Sequence, residues 1–174
     1  MNIILFGYRG SGKSTVGRLV AQQLGHSFFD TDDEVCELLG AANIADAWYA
    51  HGELIWRKTE CRVVADLVRS DGQVISLGGG TLIQDAARLA VERCRRCLRF
   101  YLQCDAAELF HRIKADPKFS DTRPNLPELG ASVHRIRLML TQRDPVYRQV
   151  ADHIIDVTGQ TPDQTAEQVL AFVR

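Results

Sequence analysis

Residues Gly7-Tyr8-Arg9-Gly10-Ser11-Gly12-Lys13-Ser14-Thr15 fit the pattern G-x-x-x-x-G-K-[ST] and follow directly on the apolar run Ile3 to Phe6. The pattern needs a strand before it and a helix after it. Val16, Leu19, Val20 and Leu24 recur at three- and four-residue steps, and Gly25 supplies a C-terminal stop. Strand, glycine loop and helix together predict a cradle for a nucleotide's phosphates at Gly10, Ser11, Gly12, Lys13, Ser14 and Thr15. The glycines let backbone N–H groups face phosphate oxygens, Lys13 brings a compact positive charge, and Ser14 offers a hydroxyl to Mg2+.

The rest of the chain repeats this alternation. Short β-rich runs at 2–6, 27–30, 73–77, 98–102 and 153–157 are separated by helical patterns. Runs such as Val74-Ile75-Ser76-Leu77 and Ile154-Ile155-Asp156-Val157 are nearly continuous in apolar character, which suits parallel strands covered by helices on both faces. The expectation is a three-layer α/β/α domain with a five-stranded parallel sheet, and ligands at the C-terminal ends of its strands. A length of 174 residues suits one domain, 1–174. Residues 116–127 carry Pro117, Pro124 and Pro127 between two helical patterns, and read as a long loop of the kind that forms lids.

Charge and composition exclude other classes. A net charge of −1 gives no general pull toward nucleic acid or an anionic membrane, and Arg93, Arg95, Arg96 and Arg99 read as a solvated basic helix end. With no apolar stretch long enough for a membrane span and no leader pattern, the chain is expected to be soluble and cytoplasmic. Five cysteines form an odd set that is expected to stay reduced; Cys94 and Cys97 have C-x-x-C spacing but no second pair to complete a zinc site.

The carboxylates narrow the chemistry further. The third strand ends in Gly78-Gly79-Gly80 rather than in the acids that motor ATPases place there, while the second ends in Asp30-Thr31-Asp32. Two-residue spacing in extended chain would point Asp30 and Asp32 the same way, one toward the metal and one toward a hydroxyl. Alternatively, one of them caps the next helix, whose first turn holds Asp33 and Glu34. Glu53, Arg57 and Glu60 fall on one helical face and could be ordinary ion pairs.

In this order the motifs resemble those of shikimate kinases: the phosphate loop, Asp30-Thr31-Asp32, Gly52-Glu53 with Trp56-Arg57 and Glu60, Gly78-Gly79-Gly80, Arg123-Pro124, and Arg143 with Pro145 and Tyr147. The resemblance covers essentially the whole chain. It implies a P-loop kinase fold with strand order 2-3-1-4-5, a small substrate-binding subdomain at about 32–60 and a lid at about 114–128. It also implies a monomer that moves the γ-phosphoryl group of ATP, with Mg2+, to the 3-hydroxyl of shikimate. Carried over by position, Asp32 would hold or deprotonate the accepting hydroxyl and Asp30 would reach the metal. Arg57 and Arg143 would grip the substrate carboxylate, for which a planar guanidinium has paired donors. Gly78, Gly79 and Gly80 would line the substrate, Arg123 would close on the transferring phosphate, and Arg112 would lie against adenine. The chain departs from the family in one additional residue between Gly40 and Ile44, in Trp48 and Trp56 where phenylalanine is commoner, and in Asn125 where leucine is frequent. The phosphate machinery alone would equally serve a gluconate-type kinase or a nucleotide-binding regulator that transfers nothing.

Overall fold

The computed structural model describes residues 1–116 and 132–173. Five strands, β1 (Asn2–Phe6), β2 (Ser27–Asp30), β3 (Gln73–Ser76), β4 (Cys97–Gln103) and β5 (His153–Asp156), form one sheet in the order β2-β3-β1-β4-β5. All four pairings are parallel, with Ile4 opposite both Ile75 and Arg99. The order is the one implied by the resemblance, and the strand bounds lie within a residue of the apolar runs.

Residues of β1 alternate between two cores. Ile3 and Leu5 join Val74, Phe100, Leu102 and Ile155 beneath α1 (Lys13–Leu24), α5 (Ala106–Ala115) and α7 (Pro162–Ala171). Ile4 and Phe6 join Ile75, Leu77 and Tyr101 beneath α3 (Ile44–Leu67), α4 (Asp85–Arg93) and α6 (Val133–Val150). Burial on both faces is why these runs are continuously apolar rather than alternating. Burying side chains of this size contributes roughly 1.5–3 kcal/mol each.

A third, smaller cluster of Val35, Ala47, Trp56 and Val63 lies between α2 (Thr31–Leu38) and α3. Gly52, at φ 77° and ψ 168°, breaks α3 into two helical arms. A continuous helix would forbid that bend, and glycine takes positive φ without a Cβ clash.

One expectation is corrected. Cys94 and Cys97 are joined in a disulfide, while Cys36, Cys61 and Cys104 stand outside any disulfide. The tight turn from the end of α4 into β4 brings the two Cα atoms to 5.5 Å, inside the span a disulfide bridges. Burial raises the thiol pKa of both Cys61 and Cys104, which leaves them poor nucleophiles. Among the described residues no helix is long and apolar enough to cross a membrane.

Candidate active site

A cleft of about 1010 Å³ opens along the C-terminal ends of β1, β2 and β3, where parallel sheets place their ligands. Its floor is the phosphate loop. Positive φ at Gly7, Gly10 and Gly12 folds the loop, and left-handed Gly12 caps α1 at Lys13. Helix α1 therefore points its N-terminal N–H groups and the positive end of its dipole at the cleft, which suits phosphate. The Lys13 ammonium donates to the Tyr8 carbonyl at 3.0 Å, so the loop itself holds it over the cradle.

Beside the cradle, the Ser14 hydroxyl donates to Asp30 Oδ2 at 2.6 Å, and Ser76 Oγ lies 3.4 Å from Ser14 Oγ. Ser76 was not anticipated as a site residue; a lone hydroxyl in the run Val74-Ile75-Ser76-Leu77 was its only trace in the sequence. Asp30 is also the N-cap of α2, accepting from the Asp32 N–H at 3.1 Å. Asp32 thus stands in the first turn of a helix and not, as its two-residue spacing from Asp30 suggests, in extended chain. Both carboxylates nevertheless line the cleft, because the turn of the helix carries Asp32 toward β3. Asp33 and Glu34 extend the acidic first turn, and Glu34 is raised by burial first and then by Glu37, Asp33 and Asp30.

The three glycines after β3 face the charged side chains the sequence singled out. A methyl group on Gly78 would lie 2.5 Å from Asp32 Oδ1, on Gly79 3.6 Å from an Arg143 nitrogen, and on Gly80 3.0 Å from both terminal nitrogens of Arg57. The glycines thus make room for protein side chains as well as for any ligand. Asp32, Arg143 and Arg57, far apart in the chain, are brought to consecutive residues of one turn.

Buried hydrogen bonds fasten this turn. Gly78 N–H donates to Thr31 Oγ1 at 2.9 Å, and the Thr81 hydroxyl donates to Glu60 Oε1 at 2.7 Å. The other Glu60 oxygen takes Arg57 at 2.9 Å, while Glu53 is a looser partner at 3.8 Å. Glu60 is only 1% exposed, so this is no ordinary surface pair: a buried carboxylate needs its donors and in turn fixes the guanidinium. Trp56 is core, whereas half-buried Trp48 packs against it with the rings tilted by 46°, and the Trp48 ring centre lies 5.6 Å from the Arg57 guanidinium carbon. Arg143 is buried, 5.6 Å over the Tyr8 ring, and donates to the Gly79 carbonyl at 3.0 Å.

Arg112 bonds Glu108 and the carbonyls of Val157 and Gln160, which ties α5 to the loop after β5. Arg123 and all but the first residues of the anticipated lid fall outside the described residues. Exposed Arg96 pairs with Asp71, whereas Arg99 departs from the reading of a solvated helix end: it lies within β4 with its side chain 21% exposed, because it pairs with Asp152 beside β5.

Comparison with known proteins agrees with this geometry. The family model for shikimate kinase matches residues 9–174. A shikimate kinase of Nitrosococcus oceani is 35% identical over 99% of this chain and 87% of its own length. One of Methylococcus capsulatus is 36% identical over 95% of this chain and 87% of its own. Among solved structures, the shikimate kinase of Acinetobacter baumannii in complex with shikimate superposes with a TM-score of 0.85 at 30% identity, covering 99% of this chain and 92% of that one. The phosphate cradle, the paired arginines at the glycine turn and likeness over nearly the full length lead to one conclusion: the chain belongs to the shikimate kinase family.

Proposed function

We propose that the protein transfers the γ-phosphoryl group of ATP to the 3-hydroxyl of shikimate, giving shikimate 3-phosphate and ADP. The observation that carries this is the meeting of Arg57 and Arg143 at Gly80 and Gly79, next to Asp32 at Gly78. Two guanidiniums suit a carboxylate, and a carboxylate suits the hydroxyl of the same small ring. In this reading Asp32 accepts the hydrogen bond of the acceptor hydroxyl and takes its proton as the new bond forms. Phosphoryl transfer is mostly positioning and charge stabilisation, so modest base strength suffices.

The loop N–H groups from Gly10 to Thr15 and the Lys13 ammonium hold the donor phosphates. Ser14 and Asp30 offer a hydroxyl and a carboxylate close together, a hard oxygen set that fits Mg2+, an ion that keeps several waters and takes few protein ligands. Bound there, Mg2+ would neutralise phosphate charge. Arg123, from a lid at about 114–128, would add positive charge at the transferring group, and Arg112 would border the adenine. Residues 32–60, with their own small core, would act as the substrate-binding subdomain of a monomeric, cytoplasmic enzyme.

A coupled ADP-release assay with shikimate and gluconate tests the reading. Turnover should require shikimate, and gluconate should give none. Arg57→Ala and Arg143→Ala should each raise the KM for shikimate about 10- to 100-fold, the size of a lost charged hydrogen bond, with ATP KM nearly unchanged. Unaltered shikimate kinetics in both variants would remove the assignment.

A further inference from the structure

Arg143 and Tyr147 are four residues apart on α6, so they share a face, and both reach the carbonyl of Gly79. The Tyr147 hydroxyl donates to it at 2.5 Å and Arg143 at 3.0 Å. A carbonyl has two lone pairs, and both are engaged. Because a peptide is planar and trans, fixing the Gly79 carbonyl also fixes the opposite direction of the Gly80 N–H, in the residue that abuts Arg57.

The hydroxyl has little freedom of its own. Tyr147 is 1% exposed, and its ring packs 5.1 Å from Tyr101 and 5.9 Å from Phe6. Phe6 is the last residue of β1, immediately before the phosphate loop, so one aromatic group supports the start of the cradle and the glycine turn together.

We propose that Tyr147 is a positioning residue for the acceptor site: its hydroxyl orients the Gly79–Gly80 peptide and shares the Gly79 carbonyl with Arg143, holding that guanidinium where the acceptor carboxylate binds. This rests on the proposed function for the identity of the acceptor, but not for the orientation of the peptide. Without the hydroxyl, Arg143 is the one remaining donor to the carbonyl among the described residues, and the peptide is freer to turn.

Tyr147→Phe removes the hydroxyl and keeps the ring. Tyr101→Phe is the control, because the Tyr101 hydroxyl is also interior but donates to Asp144 at 2.9 Å and not to the turn. Tyr147→Phe should raise the KM for shikimate about fivefold, the value of one neutral hydrogen bond, with ATP KM unchanged. Tyr101→Phe should leave both KM values alone while lowering the melting temperature comparably. An equal KM in Tyr147→Phe and wild type, or an equal rise in both variants, would overturn the proposal.

NMR shifts of the Gly79 carbonyl carbon and the Gly80 amide, measured on the protein without substrate, should move in Tyr147→Phe only. If they do, and wild type fails to phosphorylate shikimate, the function falls and the positioning role stands. If wild type phosphorylates shikimate and the Gly79 and Gly80 signals stay put in Tyr147→Phe, the positioning role falls and the function stands.

Discussion

At the scale of single residues, the glycine turn shows how exacting the site is. Gly78 has no unusual backbone angle, so an alanine there strains no dihedral; its methyl group would instead meet Asp32 Oδ1 at 2.5 Å. The same methyl group would lie 3.0 Å from Thr81 Oγ1 and 3.1 Å from Glu60 Oε1, so Gly78→Ala should displace the Asp32 carboxylate foremost and press on the buried Thr81–Glu60 bond. A shift of about 1 Å in a reacting group can cost on the order of a hundredfold, so shikimate kcat should drop about 10- to 100-fold while ATP KM and circular dichroism hold. Steady-state kinetics check this, and an unchanged kcat would exclude Asp32 from the reacting groups. Lys13 and Ser14 are legible in the sequence because they stand at fixed positions of one short motif, although Ser14 meets its partners Asp30 and Ser76 only in the fold. Thr31, Thr81 and Tyr147 were not assigned roles, since their hydroxyls meet partners 47, 21 and 68 residues away.

Among the secondary-structure elements, the junction of β4 with β5 carries a two-pronged ion pair. Arg99 Nε and a terminal nitrogen hold the two Asp152 oxygens at 2.8 and 2.7 Å, and the Arg99 N–H adds a bond at 2.9 Å. The Arg99 side-chain hydrogen bond holds the Asp152 carboxyl below its ordinary value of 3.8, outweighing burial. A depressed carboxyl pKa stabilises the fold fully above the unfolded value, and that stability is lost as pH falls through the folded value. Asp152→Asn should lower the melting temperature near neutral pH by about 2–4 °C, the shift that about 1 kcal/mol gives a chain of this size. Melting curves in a pH series should show the gap closing below pH 3.8. A constant gap down to strongly acid pH would mean the pair does not couple folding to protons. The sequence located β4 and β5 but not this latch, because a lone arginine and aspartate signal no pairing across 53 residues.

For the molecule as a whole, the sheet separates chemistry from its opposite edge. Ligand-facing groups gather at the C-terminal ends of the strands, while the Cys94–Cys97 disulfide stands where β4 begins. Reducing it should leave kcat and both KM values unchanged and lower the melting temperature by about 5 °C, as expected for a short closed loop in a chain of this length. Parallel kinetics and melting curves with and without reductant test this; a loss of activity on reduction would show the two ends to be coupled. In a reducing cytoplasm the dithiol form would prevail, so such an enzyme would work without the bridge.

The strands, their alternation with helices, the phosphate cradle and, through motif order, the family are all written in local sequence, because each depends on neighbouring residues or on a fixed periodicity. Tertiary structure alone decided which groups share a turn. Asp32, Arg57 and Arg143 converge on Gly78, Gly80 and Gly79 only after β3 is set beside β2 and α6 packs against the sheet. It also moved Asp32 from extended chain to the first turn of α2, where the cap formed by Asp30 holds it. Contacts between residues distant in the chain are fixed by packing, and nothing in local spacing encodes them.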